Sequence, residues 1–384
     1  MGFTYAVLGS GMQGKACGYD LACFGDAEKI IMADSNESVA REAVSRLERL
    51  TGKRIFRAEK LDVADRAAVA RILEGCDGVL SAVPYKYNYD LTAVAVSKKV
   101  HFSDLGGNTD VVKRQLELHE QARAAGISVC PDCGLAPGLG NLLAADGIRR
   151  LMRPEAVHIR CGGLPQKPKP PLGYHLVFSV EGLLNEYFGK AAVIRNGEVV
   201  MVDTFTECEE LEFKPPIGRV QAFVTSGGTS TAPWSFKDKV KHYDYKTIRY
   251  PGHYEQFKLF KEMGFLETEI WEVDGQRFIP REFFKLVLKK KLTMPGEKDL
   301  VVLRVECRGA DGHTLTYELI DFYDEKTGFS AMERTTAFPA TTVLGLQVAG
   351  KIERGVVPIE RSVPTDLYLR ELGRRDIKIE ILEQ

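Results

Sequence analysis

The sequence predicts an α/β protein, a doubly wound parallel sheet covered by helices, followed by a second, α+β domain built on a mixed sheet. Over the first 130 residues short β-branched runs alternate with helical patterns, as they do when crossover helices link parallel strands. After Pro137 the runs lengthen and alternate in polarity, as strands joined by hairpins do. A chain of 384 residues is long enough for two hydrophobic cores.

In chain order, strands are expected at residues 5–8, 29–33, 54–57, 78–82, 101–103 and 128–130, enough for a full doubly wound sheet. Amphipathic helices separate them. The one at 38–50 carries Val39, Ala40, Ala43, Val44, Leu47 and Leu50 on one face. In the second half, strands are expected at 157–161, 211–213, 220–225, 301–306 and 314–319, with tight hairpin turns at Asn196-Gly197 and Asp311-Gly312. Residues 253–292 read as a helical insertion whose Lys289-Lys290-Lys291 run is a solvated face. Residues 341–351 read as a helix with Pro339 near its start and Gly350 or Gly355 near its end.

Composition narrows the function. With 52 basic and 53 acidic side chains the net charge is −1, so no global field draws the chain to nucleic acid or to anionic lipid. The N-terminus lacks the basic region of a signal peptide, Ala6 breaks a myristoylation signal, and no stretch reaches the roughly 18 to 20 apolar residues of a membrane helix. Eight scattered cysteines fit a reducing cytoplasm. Glycine is the exception: 36 of 384 residues, about 9%, exceeds the usual share of about 7%.

The first glycines explain themselves. Gly9-Ser10-Gly11-Met12-Gln13-Gly14 follows a strand and opens a helix, the context that makes G-x-G-x-x-G a dinucleotide-binding fingerprint of the Rossmann type. One glycine permits the turn, the next lets a pyrophosphate reach the backbone, and the third lets helix and strand pack closely. Asp34 lies 20 residues on, at the end of the second strand, where a carboxylate accepts both ribose hydroxyls and repels a 2′-phosphate. No arginine occurs between it and Arg41, so the expected cofactor is NAD rather than NADP. Further cofactor contacts are expected from Asp62 and Val63 at the adenine, from Ala82, Val83, Pro84 and Tyr85 toward the nicotinamide, and from Gly106 and Gly107.

Other signals carry less. Cys130-Pro131-Asp132-Cys133 has redox-motif spacing without the right context, and the seven histidines show no H-E-x-x-H, so no metal is expected. No G-x-S-x-G is present, which removes an α/β-hydrolase.

Taken together, the N-terminal fingerprint, Asp132-Cys-Gly-Leu-Ala-Pro-Gly138, Phe178-Ser-Val-Glu-Gly-Leu183, Thr225-Ser-Gly-Gly-Thr229 and Arg249-Tyr-Pro-Gly252 resemble the saccharopine dehydrogenase-like family, and within it the NAD-dependent L-lysine 6-dehydrogenases. The resemblance implies a Rossmann domain of residues 1–135 and 336–384. It implies a substrate domain of 136–335 that carries the interface of a homo-oligomer, dimer or tetramer. It also implies oxidation of the lysine side-chain amine to 2-aminoadipate 6-semialdehyde. An alkylammonium with a pKa of about 10.4 cannot expel hydride until it loses a proton, and Asp104, Asp132 or His253 is expected to take it. Arg249 is expected to clamp the α-carboxylate through its planar fork, aided by Tyr250 and by Gly227, Gly228 and Thr229. Glu181 is expected to hold the α-ammonium. The competing readings are a saccharopine reductase, using Arg160, Lys167, Lys169 and Arg219 as extra cations, and a non-catalytic NAD-sensing protein.

Overall fold

In the computed structural model, residues 2–384 are described, and the chain divides into two compact units. The first holds the chain up to Met152 together with Ser230–Phe236 and Glu333–Ile379; the second holds Arg153–Thr229, Lys237–Met332 and Glu380–Gln384. The crossing points therefore differ from the expected 135 and 336. The helix Gly140–Arg150 buries eight of its residues, and it packs in the first unit on the helices Ile359–Ser362 and Thr365–Arg374.

The first unit is built on strands β1 (Phe3–Leu8), β2 (Ala27–Asp34), β3 (Phe56–Lys60), β4 (Gly78–Ser81), β5 (His101–Asp104) and β6 (Ser128–Cys130), with a short seventh, Gly355–Val356. All pairings are parallel, in the order Gly355–Val356, β6, β5, β4, β1, β2, β3. Tyr5, Ala6, Val7 and Leu8 are fully buried, as befits a central strand covered on both faces. The strand order reverses beside β1, and the carboxyl ends of β1 and β4 there form the topological switch point where ligands bind in such sheets.

The helix Ala331–Val348 starts ten residues before the expected one, with Pro339 inside it rather than at its start. Just after Pro339, the Thr341 hydroxyl donates to the buried Asp20 carboxylate at 2.6 Å and the Thr342 hydroxyl to the Phe338 carbonyl at 2.7 Å. Further along, Gln347 donates to the carbonyls of Phe102 (3.0 Å) and Ser128 (3.1 Å) and accepts from the Ser103 hydroxyl (2.7 Å), tying this helix to β5 and β6.

The second unit contains β7 (Pro154–Pro165), β8 (Lys190–Arg195), β9 (Glu198–Asp203), β10 (Glu209–Phe213), β11 (Gly218–Val224), β12 (His242–Arg249), the hairpin β13 (Trp271–Val273) and β14 (Gln276–Phe278), and β15 (Asp299–Gly309) with β16 (Thr314–Phe322). Its large sheet runs β10, β11, β12, β7, β15, β16, Glu380–Glu383, with β8 joining β12 and β9. Only the β12–β7 pair is parallel, so the sheet is mixed. Asn196 and Gly197 both have positive φ (53° and 83°) in the two-residue turn joining β8 to β9, the backbone that a hairpin twist demands. The expected helical insertion proves to be two helices, His253–Glu262 and Pro280–Leu292, separated by the β13–β14 hairpin; Lys289, Lys290 and Lys291 are exposed. An aromatic core including Tyr174, Tyr187, Phe205, Phe223, Phe257 and Phe284 supports one part of this unit.

Candidate functional site

In the first unit, each glycine of the fingerprint has its own reason. Gly9 has φ +93°, and a Cβ there would lie 2.7 Å from the Ala82 carbonyl oxygen. At Gly14 a Cβ would stand 1.8 Å from the Gly9 oxygen, so only glycine lets the helix sit this close to the loop. Gly11 faces open space, and it precedes the helix Met12–Phe24, whose first turn carries no acidic residue and no side-chain cap. The free N–H groups and the positive end of the helix dipole suit a pyrophosphate.

Around this loop the structure collects most of the expected cofactor residues. Asp34 accepts from the backbone N–H of Ser10 through Oδ2 and of Asn36 through Oδ1, both at 2.9 Å, which pins its carboxylate between the glycine loop and the next helix. Arg41 is engaged by Glu37, one helical turn away, and both are exposed. Ala82 and the Val83 side chain lie against Gly9, while Pro84 is exposed. Tyr85 covers the α-carbon of Gly107, where a Cβ would come within 3.0 Å of its ring. Met12 is exposed and Gln13 follows it in the first helical turn. Asp62 is exposed and accepts from its neighbour Ala64 at 2.9 Å; Val63 packs partly on the core.

At the ends of β5 and β6 two buried aspartates meet. Asp104 accepts from the backbone N–H groups of Gly106 (2.9 Å) and Asp132 (3.0 Å) through Oδ1, and from the Gln115 amide (2.8 Å) through Oδ2. It clasps two loops together. Asp132 is 4% exposed, with φ +57°, and its Oδ1 has no hydrogen-bond partner among the described residues. That oxygen sits against the α-carbon of Gly106, where a Cβ would meet it at 2.2 Å. Burial pushes the Asp132 carboxyl well above the usual carboxylate range, and the charge of Asp104 adds to the shift. Burial also raises Asp104, opposed by the three hydrogen bonds it accepts. Of the two, Asp132 has the oxygen free to take a proton.

His253 is placed differently from the expectation of a base. It lies in the second unit, 1% exposed and stacked on Phe257 at 4.6 Å. A single chain of hydrogen bonds runs through it: Arg249 Nε–H donates to the Tyr187 hydroxyl (2.8 Å), that hydroxyl donates to His253 Nε2 (2.8 Å), and His253 Nδ1–H donates to the Leu172 carbonyl (3.1 Å). This network fixes the tautomer. Burial and the nearby Arg249 charge lower the imidazole pKa to about 3. Neutral and closed in on both nitrogens, His253 orients Tyr187 and, through it, Arg249.

Arg249 ends β12, 2% exposed, its guanidinium 4.7 Å above the Tyr174 ring. Nη1 donates to the Ile248 carbonyl at 2.8 Å, and Nη2 stands 3.7 Å from Glu186 Oε2. Glu181 is not part of this group: its half-exposed carboxylate reaches Arg281 (3.3 Å) and Lys285 (3.2 Å) on the helix Pro280–Leu292. The charges of that helix, 100 or more residues away in sequence, capture it first. Of the glycine stretch, Gly227 (φ +88°) is open, Gly228 packs flat on Tyr245, and the Thr229 hydroxyl donates to the Ala192 carbonyl at 3.0 Å. Tyr250 is partly buried beside the Ile248 cluster. Glu186, Tyr187 and Tyr174 escaped the sequence reading. One signal was available: an acid closing a helix, as Glu186 closes Val180–Glu186, opposes the dipole and needs a reason.

The chain finds matches among known proteins in sequence and in fold. A model described as the saccharopine dehydrogenase NADP binding domain matches residues 5–130, and one described as the saccharopine dehydrogenase C-terminal domain matches residues 134–377. Saccharopine dehydrogenase [NADP(+), L-glutamate-forming] from Saccharomyces cerevisiae is 26% identical over 315 residues, 78% of this chain and 66% of that protein. Its namesake from Pyricularia oryzae is 28% identical over 227 residues, 54% of this chain and 48% of that protein. The matches thus span about half to two thirds of these relatives. Among solved structures, the apo saccharopine dehydrogenase (L-Glu forming) from Saccharomyces cerevisiae aligns over 100% of both chains with TM-score 0.79 and 21% identity. Homospermidine synthase from Legionella pneumophila, in complex with NAD, covers 100% of this chain and 92% of its own with TM-score 0.69 and 12% identity. At these identities the structural likeness is one of fold.

Proposed function

The chain belongs to the saccharopine dehydrogenase family, and on that premise we propose that it is an NAD-dependent oxidoreductase that oxidises the side-chain amine of L-lysine at carbon 6, giving 2-aminoadipate 6-semialdehyde and ammonia. The observation that carries the amino-acid substrate is Arg249. It is a buried cation with Nε and Nη1 engaged by Tyr187 and Ile248, and with Nη2 turned to a partner 3.7 Å away. Such a group binds a carboxylate through its remaining N–H donors.

When bound, the cofactor accepts hydride from the amine-bearing carbon. The chain's own residues do the rest. Asp132 takes the ammonium proton on Oδ1; its raised pKa makes it a stronger base than a surface carboxylate. Asp104 holds the Asp132 backbone in place. Water then hydrolyses the imine. Asp34 is the reason for choosing NAD: its fixed carboxylate repels a 2′-phosphate, and the nearest following cation, Arg41, is occupied by Glu37.

Lysine is preferred to saccharopine because the extra cations are taken. Arg160 is paired with Asp244 (2.6 Å) and Glu209, Lys169 with Glu297, and Arg219 with Glu210, which leaves exposed Lys167 for a substrate with three carboxylates. All eight cysteines are free thiols, in keeping with a reducing cytoplasm.

A second copy of the chain is the partner in this reading. Ile270, Phe278, Phe283 and Leu286 line a groove of about 660 Å³, and Trp271 packs edge-on to Phe278. These five are 38% to 65% exposed, together roughly 500 Å² of apolar surface, within the range of the largest patch on a typical monomer and most of the ~800 Å² that each partner buries in a standard interface. Arg277 and Glu282 also line the groove, opposite charges that a two-fold axis can pair between copies.

The reaction is tested by following NADH absorbance with lysine, ornithine and saccharopine at alkaline pH. Turnover of lysine is expected. Turnover of saccharopine alone makes the protein a saccharopine reductase, and turnover of none leaves a nucleotide-sensing role.

A further inference from the structure

Glu186 is the last residue of the helix Val180–Glu186, where the dipole and the unpaired carbonyls repel negative charge. Its position is nonetheless firmly built. The Ser226 N–H donates to its carbonyl at 2.8 Å and the Ser226 hydroxyl to that of Asn185 at 2.7 Å, which fastens the helix end to the glycine turn after Thr225. The carboxylate is 30% exposed, so one side of it is reachable, while its neighbour Arg249 is 2% exposed.

The two charges do not close on each other. Their 3.7 Å separation exceeds the roughly 2.7 to 2.9 Å of a charge-assisted hydrogen bond. Arg249 is held back by the Tyr187 hydroxyl and by Ile248, and Glu186 by the Ser226 anchor. An opposite-charge pair kept apart in a poorly hydrated setting is suited to a ligand that itself carries both charges on neighbouring atoms.

We propose that Glu186 and Arg249 form the receptor for an α-amino acid head group, Glu186 binding the α-ammonium and Arg249 the α-carboxylate, so that the site selects zwitterions over simple amines or acids. The proposal rests on the reading of Arg249 given above. A zwitterion leaves every charge at the site compensated. A diamine leaves Arg249 without an anion, and a carboxylic acid leaves Glu186 without a cation.

The surroundings make the Glu186 side of this receptor depend on pH. Burial raises its pKa to about 7, opposed by the Arg249 charge. The other groups facing it are Cys161 from β7, Tyr174 from the preceding segment, Tyr187 from the helix end, and Tyr245 from β12. Burial raises all of them, Tyr174 to about 12, so they stay neutral near pH 7. His253, lowered to about 3, is neutral there too. Glu186 is thus charged above about pH 7 and protonated below it, and ammonium binding strengthens as pH rises through that value.

The test measures binding to the NAD-loaded protein by calorimetry, using L-norleucine, which has the head group and no reactive amine, and hexanoate, which has the carboxylate alone. Wild type is expected to bind norleucine more tightly than hexanoate, with affinity for norleucine rising between pH 6 and 8. Glu186→Gln is expected to weaken norleucine about tenfold or more, to leave hexanoate unchanged and to abolish the pH dependence; Glu186→Asp is expected to restore part of both. Arg249→Gln is expected to weaken both ligands. No norleucine binding by wild type, or equal loss of both ligands in Glu186→Gln, overturns the receptor. The outcome is separable from the proposed reaction, since norleucine binding can follow this pattern in a protein that turns over no amine.

Discussion

Asp104 and Asp132 have the same side chain, at the ends of neighbouring strands, and hydrogen bonds make them unlike. Asp104 spends both oxygens on Gly106, Asp132 and Gln115, whereas Asp132 keeps Oδ1 bare. Asp132→Asn is therefore expected to lower kcat about 100-fold or more with little change in KM. The acid limb of the kcat/KM profile, along which activity rises with pH as Asp132 loses its proton, should lie above the usual carboxylate range and vanish in the variant. A limb that persists in Asp132→Asn transfers the role of base elsewhere. Asp34 makes the second prediction at this scale: kcat/KM for NAD at least about tenfold above that for NADP, because a fixed carboxylate repels the 2′-phosphate. Equal or better use of NADP removes that argument. The two aspartates and Arg249 were legible as residue types beside glycine turns, but which oxygen is free, and whether a histidine is closed in, depend on partners 11 to 28 residues away or more, such as Gln115 and Asp132 for Asp104.

Among the elements, the glycine loop and its helix yield contrasting expectations for two substitutions. Gly14→Ala forces a Cβ to 1.8 Å from the Gly9 carbonyl, a backbone clash that should cost about 3 kcal/mol and appear as a lower Tm. Gly11→Ala meets nothing within 4 Å, so Tm should hold while the Kd for NADH, read by fluorescence, rises as the methyl enters the phosphate cradle. Equal Tm for both variants contradicts this geometry. Six of the seven strands of the first sheet were readable because central parallel strands are apolar runs between turns; the two-residue edge strand Gly355–Val356 was too short to show. Edge strand β3 came out two to three residues later than expected, its mixed burial blurring the signal. The helix Ala331–Val348 was cut short in the reading because Pro339 resembles a helix start, whereas here it lies inside the helix. The β13–β14 hairpin was missed although Asp274-Gly275, both at positive φ, marks its turn, because strands of three residues are too short to stand out from the helical pattern on either side.

For the whole molecule, the apolar groove beside β13 and β14 predicts self-association. Light scattering coupled to gel filtration should report a dimer or larger species for the wild type, and Phe283→Glu or Leu286→Glu should shift it to monomer without lowering Tm, since both side chains are more than half exposed. A wild-type monomer at micromolar concentration excludes the interface. No helix among the described residues is long and apolar enough to cross a membrane. The unit boundaries are also set at this scale: Ser230–Phe236 belongs to the first unit although the chain on either side of it belongs to the second, and Thr231 and Ser235 there donate to buried Glu360 at 2.9 and 2.7 Å.

By itself the sequence determined the fold class and the glycine loop of a nucleotide-binding domain, with an acid, Asp34, at the end of its second strand. Those features are written in consecutive residues, where one strand, three glycines and one acid specify a local backbone and its charge. Only the tertiary structure separated Asp132 from Asp104, withdrew Glu181 to a surface pair, closed His253 into a positioning role and brought Glu186 beside Arg249. These outcomes depend on desolvation and on hydrogen-bond partners contributed by distant segments, and neither is a property of any short stretch of chain.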